Sequence, residues 1–546
     1  MNQLQTADYL VFFIYFFVVV GYGWWVFQRK KQSESKTKDF FLAEGSLTWW
    51  AIGASLIASN ISAEHFIGMS GSGFAIGLAI SSYEWMSAAT LILVAVFFIP
   101  VYLKNKIYTM PQFLSVRYND TVATIMAVFW LLLYVFVNLT SILYLGALAV
   151  ETISGISFFY CMIGLAIFAV FITLGGMKVI GYTDVIQVVV LVLGGLATTY
   201  LALNMVSDKF GGDGVIDGLG LLKEKADSHF HMIFSKGDPH YYELPGLSIL
   251  IGGMWINNFN YWGCNQYIIQ RTLGADLKTA RGGILFAACL KLLMPLIVVI
   301  PGIAAYVLYQ NGLFQQEMVD AAGVVKPDHA YPTLMNLLPQ GMKGLAFAAL
   351  TAAIVASLAG KCNSIATIFS LDIYKKFYNK EASEDKVVKV GRYAVLASFM
   401  IALVITPQLR KLEQAYQFIQ EYSNYITPGA FALFFLGLFW KRTTSQAAIV
   451  AASLALPLSI LFKSLPAIGS TFLSTTIDPI PFLDRTLWVF GILVVLMIVI
   501  SLSDKSSKNN PKGLAIDAEM FRVTPPFVVS SILICGVLAA LYTVFW

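Results

Sequence analysis

Seven ionisable side chains sit inside apolar stretches of this chain: Glu64, His65, Glu84, Asp184, Lys291, Lys361 and Glu421. A charge with no water to solvate it is costly, so each needs a partner or a polar cavity and each is a candidate for function. A structural ion pair between two helices is the competing reading for any one of them. Several keep polar company at helical spacing. Glu84 and Ser87 in YEWMS are three residues apart and share a helix face, as do Gln417 and Gln420 in AYQFIQEY. Adding His65, Asn258, Tyr261 and Lys291 brings an imidazole, an amide, a phenol and an amine, with Tyr83, Trp85, Trp262 and Tyr416 close by in sequence. A sugar-like, hydroxyl-rich ligand needs this mixture: donors and acceptors around its edge and an aromatic surface for its C–H face. An amino acid or carboxylate is the alternative, and the charge of Glu84 would repel it. A separate question is posed by ASLAGKCNS, 356–364, which places Lys361 in the middle of an apolar run.

The elements that must position these residues are membrane helices. Of 546 residues, 58% are hydrophobic and 12% charged, and the mean hydropathy is +0.72, outside the range of ordinary soluble domains. Apolar runs long enough to cross a bilayer recur from end to end, at 8–27, 47–71, 79–103, 122–153, 157–174, 180–205, 245–270, 283–309, 344–374, 388–409, 412–440, 444–462, 486–502 and 527–546. The expectation is an all-α polytopic membrane protein of about fourteen transmembrane helices. The first run is not a cleavable signal, because no positive charge precedes it, it is long, and the basic cluster RKKQSESKTK follows it. Lys and Arg concentrate in alternate connections, which places both termini outside a plasma membrane or bacterial inner membrane.

The formal charge of +5 then reflects topology and predicts no nucleic-acid partner. All five cysteines fall in apolar runs with no CxxC pair, as small buried hydrophobes do. His229, His231 and His240 share a long outside loop, 206–243, that reads as a solvated loop rather than a metal site. There is no HExxH and no GxSxG, and Gly360-Lys361-Cys362 lacks the remainder of a phosphate loop. No enzyme chemistry, organic cofactor or nucleotide is expected, leaving an ion gradient or facilitation as the energy source.

Gly, Ser and Asn clusters at membrane depth mark helices that unwind around a ligand. Two stand out: ASNISAEHFIGMSGSG, 58–73, in the second run, and IGGMWINNFNYWGCNQY, 251–267, in the seventh. Lying five runs apart, they cross in opposite directions, the spacing of two inverted five-helix repeats with broken first helices. The organisation expected is a leading helix and basic inside loop at 1–46, repeat one at 47–205, the outside loop at 206–243, repeat two at 244–440 and three trailing helices at 441–546.

The motifs NISAEHFIGMSGSG, GGMKVIGYTDVIQ (175–187), NQYIIQRTL (265–273) and CNSIATIFSLDIYK (362–375) resemble those of the sodium/solute symporter family, in its sodium/glucose branch and most closely its bacterial sodium/galactose pattern. The resemblance implies the inverted-repeat symporter fold and a small-molecule sugar as substrate. Position by position, it implies sugar contacts at His65, Glu84, Ser87, Asn258, Lys291 and Gln420. It further implies an inner aromatic gate at Tyr261, supported by Asn60, Glu64 and Trp262, and an outer lid of Met69, Tyr83 and Tyr416.

The resemblance also implies Na+, held by carbonyls of Ala58, Ile61 and Ala353 and by hydroxyls at 356 and 357. Oxygen ligands suit so hard a cation. Ser357 is present, but Ala356 has no hydroxyl, so the site is degraded. Ala353, Ser357 and Lys361 lie four residues apart and share a helix face. Lys361 is about 6 Å along the axis from Ser357, and its side chain leans back toward the ion. Three arrangements are open. Sodium binds while Lys361 pairs with Asp184; the ammonium replaces sodium, making transport sodium-independent or proton-coupled; or the lysine snorkels to an inner vestibule. Two unit charges 4 Å apart repel by about 4 kcal/mol at an effective dielectric of 20, so the first two nearly exclude each other. The leading function is secondary active sugar transport by alternating access, sodium-coupled. A non-transporting sugar sensor on the same scaffold is the alternative.

Overall fold

A computed structural model describes residues 4–29, 48–107, 109–175, 177–320, 323–412, 414–472 and 478–546. The basic segment 30–47, expected as an inside loop, lies outside the described residues. Apart from an isolated bridge between Val319 and Val325, the regular elements described are helical. Each of the fourteen apolar runs has a helical rod. The rods overshoot the runs, as at Met177–Phe210 and Leu277–Gln310, because an apolar run marks the lipid-contacting part while the backbone stays helical into the interface.

Among the described residues nine helices are long and apolar enough to cross a membrane unaided, and Thr6–Val19, Phe158–Thr173 and Thr427–Phe439 are shorter apolar helices. The two rods that meet neither description are the second and seventh, and both are interrupted. Span 2 runs as Trp49–Asn60, leaves the helix at an extended Ile61 (φ −69, ψ 118), and resumes as a π-helical turn, Glu64–Met69, and then Ser70–Ile76. Ser62 caps the second half by accepting from the Glu64 N–H at 3.1 Å, which satisfies a donor that lipid could not.

Span 7 breaks twice, at Gly252 (φ −127, ψ −126) and at Asn265 (φ −97, ψ 123). Beside the first break, a side chain at Gly253 would collide with the Leu483 carbonyl, so span 13 rides against bare backbone. At the second, the Tyr134 hydroxyl donates to Asn265 Oδ1 at 2.6 Å. Span 11, expected as one run, is also broken, into Ala415–Ser423 and Thr427–Phe439. Pro428 opens the second piece, where a missing N–H costs nothing.

Spans 2 and 8 pack backbone to backbone at both ends. An added Cβ on Gly53 would lie 2.6 Å from the Gly283 carbonyl oxygen, and one on Gly73 would lie 2.8 Å from that of Val299; one on Gly302 would collide with the Ser70 carbonyl. Small residues at such crossings let membrane helices approach closely. The loops 206–243 and 310–341 share one face of the bundle. There His229 Nε2 donates to the Phe74 carbonyl at 3.2 Å, over a reversal at Gly77 whose φ of 88° suits glycine. The three loop histidines have separate partners: His229 stacks on Tyr306, His231 lies 3.9 Å from Asp227 and His240 pairs with Glu243 at 2.8 Å. Cys161, Cys264 and Cys362 are buried, but Cys289 and Cys535 are exposed, where a thiol meets lipid as readily as a core.

Replacing Gly302 with valine should wedge spans 2 and 8 apart. Overpacking of this kind costs about 1–3 kcal/mol or more, and the expected result is a lower melting temperature for the detergent-solubilised protein, with a milder loss for Gly302→Ala.

Candidate functional site

Glu84, Lys291 and His65 come together where the broken second span meets spans 3 and 8. Glu84 and Lys291 are 2% and 0% exposed, and Lys291 Nζ donates to Glu84 Oε2 at 2.6 Å. The same ammonium hydrogen-bonds Asn60 Oδ1 and lies 5.1 Å from the centre of the Trp262 ring. His65 Nε2 stands 3.4 Å from the other oxygen, Glu84 Oε1. Each charge therefore has opposite charge and hydrogen bonds around it, the condition under which a buried pair is tolerated.

Beside this pair lies a cavity of about 60 Å³ lined by Asn60, Glu64, His65, Tyr83, Glu84, Ser87, Asn257, Asn258, Tyr261, Trp262, Tyr416, Ile419 and Gln420. All the expected contact and gate residues line it except Lys291 and Met69. Lys291 stands behind Glu84, and Met69 is buried in the core. Ser87 Oγ donates to Asn258 Oδ1 at 2.6 Å, and Asn257 Nδ2 to Gln420 Oε1 at 3.4 Å. His65 Nδ1, Asn258 Nδ2 and the Tyr83 hydroxyl are buried with no hydrogen-bond partner among the described residues. Such groups are rare unless something else satisfies them, and a hydroxyl-bearing ligand would. Sequence reasoning missed Asn257 and Ile419, which sit on the turns of the same helices as Asn258 and Gln420. Gln417 does not join the lining, and Glu421 belongs to an ion pair with Arg485 at 2.6 Å and Lys463 at 2.8 Å.

Aromatic rings close the cavity on both sides. Toward the loop face, Tyr416 meets Tyr83 edge-on at 5.4 Å between ring centres and His65 at 6.4 Å. On the far side, Tyr261 accepts from Asn60 Nδ2 at 2.9 Å, packs edge-on against Trp262 at 5.1 Å and shares a hydrogen bond with the Tyr267 hydroxyl. Glu64 Oε1 accepts from Ser141 at 3.0 Å. With tyrosines on either side, the space left between these groups is small.

Ala58, Ile61, Ala353 and Ser357 are all buried, and Ser357 Oγ donates to the Ile61 carbonyl at 3.4 Å. Ala356 is half-buried. Lys361, 4% exposed, does not reach an aqueous vestibule. Among the described residues its ammonium meets Asn138 Oδ1 at 3.4 Å and the faces of Tyr267 and Tyr134, at 3.9 and 5.9 Å from the ring centres. The Asp184 side chain lies outside the described residues. Asn138 and Tyr267 were missed in the sequence; the signal for the first was a lone amide in the apolar run YVFVNLTSIL, and for the second its place in NQYIIQRTL.

A polar cavity shut on both sides by aromatic rings, at the interruptions of membrane helices, defines a carrier. The chain belongs to the sodium:solute symporter family, whose model matches residues 40–454. It is 47% identical to a sodium/glucose cotransporter of Vibrio parahaemolyticus, over all of this chain and 99% of that one. It is 33% identical to sodium/myo-inositol cotransporter 2 of Sus scrofa, over 84% of this chain and 70% of that one. Its fold matches that of a Na+-coupled sialic acid symporter with a TM-score of 0.74 at 22% identity, covering 92% of this chain and 98% of that one. A nucleobase-cation-symport-1 family transporter in a closed conformation matches at 0.52 and 14% identity.

Glu84→Gln or Lys291→Met alone should strand one buried charge, a loss of about 3–5 kcal/mol, and the double variant should recover part of it; thermal melting of the three proteins checks this. A second expectation concerns Asp328, in the loop between spans 8 and 9. Its Oδ2 accepts from the Ala415 N–H at 3.2 Å, next to Tyr416, and an added Cβ on Gly71 would lie 2.5 Å from its Oδ1. Burial pushes its carboxyl up to about 7. A lid that opens and wets Asp328 would return it to the ordinary carboxylate range and release a proton. Closure is then strongest in acid and weakens by about 1.4 kcal/mol per pH unit as pH rises from about 4 to about 7, levelling off above. Substrate uptake should therefore rise with pH on the loop face over that window, and Asp328→Asn should flatten the profile.

Proposed function

We propose that this chain is a secondary active transporter of a hexose-type sugar, working by alternating access and driven by a sodium gradient. The observation that carries the reading is the cavity itself: two carboxylates, several amides and an imidazole converge between tyrosines, with buried donors and acceptors left over for a polyhydroxylated ligand. Full-length similarity to a sodium/glucose cotransporter supports the substrate class and the ion. In this reading both termini and the loop face are outside. Glu84, His65, Ser87, Asn258 and Gln420 take the sugar hydroxyls, and Lys291 holds the Glu84 carboxylate in place and reaches the sugar as the cavity widens.

Tyr83 and Tyr416, backed by Met69, form the outer lid; Tyr261, with Asn60, Glu64 and Trp262, forms the inner gate. Sodium, a co-transported substrate here, takes the carbonyls of Ala58, Ile61 and Ala353 and the hydroxyl of Ser357, with Asp184 on its inward path. Its arrival requires Ser357 to release the Ile61 carbonyl, so ion binding and the geometry of the span 2 break are linked.

Purified protein in liposomes should accumulate labelled hexose under an inward sodium gradient and show sugar counterflow. Uptake of equal size in sodium and in choline would overturn sodium coupling, and binding without counterflow would make the protein a sensor.

A further inference from the structure

Tyr261 and Tyr267 lie on opposite sides of the Asn265 interruption in span 7, so no continuous helix fixes one ring relative to the other. Side chains do. The Tyr267 hydroxyl bonds the Tyr261 hydroxyl, and the face of the Tyr267 ring carries the Lys361 ammonium at 3.9 Å from its centre. That ammonium also donates to Asn138 Oδ1 at 3.4 Å, on the π-helical turn of span 4. A desolvated cation over an aromatic face is held by the ring's quadrupole and strengthened by burial.

We propose that Lys361 is a positioning residue of the inner gate: a cation built into span 9 that clamps Tyr267 and, through it, holds Tyr261 shut beneath the cavity. The proposal rests on the transport reading for what passes the gate, but the clamp belongs to the chain and closes without an ion from solution. A neutral residue of similar length keeps the packing and loses the charge. Arginine keeps the charge and the stacking.

The test uses the full chain in liposomes and the native thiol of Cys264, which is fully buried and lies three residues along the chain from each of the two tyrosines, next to the Asn265 interruption. Its modification by N-ethylmaleimide, read by mass spectrometry of the labelled peptide, reports opening of the gate. Labelling should be about fivefold faster or more in Lys361→Met, the size expected for losing a buried cation–π contact. It should stay near the wild-type rate in Lys361→Arg. Tyr267→Phe, which keeps the ring and loses the tie to Tyr261, should also label faster, and carries the comparison should Lys361→Met not fold. Unchanged labelling in Lys361→Met or Tyr267→Phe overturns the clamp, and equal acceleration in Lys361→Arg and Lys361→Met overturns the role of the charge. On the same liposomes, hexose counterflow should persist in Lys361→Met while accumulation falls. Absence of counterflow in the wild type would refute the sugar reading and leave the labelling rates to judge the clamp.

Discussion

A carboxylate and an amine buried at 2% and 0% exposure can persist in a membrane bundle only as a pair, and the pairing of Glu84 with Lys291 sets the terms for everything around it. The contact joins span 3 to span 8. The remaining protons and lone pairs recruit Asn60 from the edge of the span 2 break, His65 from its far side and the ring of Trp262 from span 7. An isolated charge would cost several kcal/mol in this setting. The breaks in the helices thus place polar groups where the pair requires them, and the cavity is the space left between those groups.

From this pair a line of side chains runs across the molecule: Lys291 to Asn60, Asn60 to Tyr261, Tyr261 to Tyr267, and Tyr267 to Lys361. It begins and ends at a lysine and crosses interrupted backbone in spans 2 and 7. Where a helix is continuous, its own hydrogen bonds hold its geometry. Where it is interrupted, geometry depends on side-chain partners, and those partners can be exchanged for ligand groups. The central gate is built at such places, so occupation of the cavity and the state of the gate are coupled through short contacts.

Much of this was legible in the sequence because membrane burial is a crude and strong filter. Hydropathy marks each crossing, and the Gly, Ser and Asn clusters at 58–73 and 251–267 mark the interruptions. Glu84, Ser87 and Gln420 stand out as polar groups at helical spacing. Other features escaped because they depend on who meets whom. That Lys291 stands behind Glu84 instead of lining the cavity follows from the close approach of spans 2 and 8. The second break in span 7 is stabilised by Tyr134, more than a hundred residues away in sequence. Lys361 was visible as an anomaly, yet its face-on contact with Tyr267 depends on the angle at which the resumed helix leaves Asn265. The break in span 11 has a sequence signal in Pro428, just after the polar stretch QEYSNY.

The glycine contacts between spans 2 and 8 bear on how such a molecule can move. Backbones that touch at Gly53 and Gly283 near one end, and at Gly73 and Gly302 near the other, have no side-chain layer to shear, and two separated points of contact forbid rotation about either. Each half of span 2, on either side of Ile61, is thereby tied to span 8. Freedom must then reside in the joints left to their neighbours, at Gly252 and Asn265 in span 7 and between Ser423 and Thr427 in span 11. The mechanism has few hinges, and the two tyrosine barriers sit beside different ones. One side can therefore swing while the other stays locked.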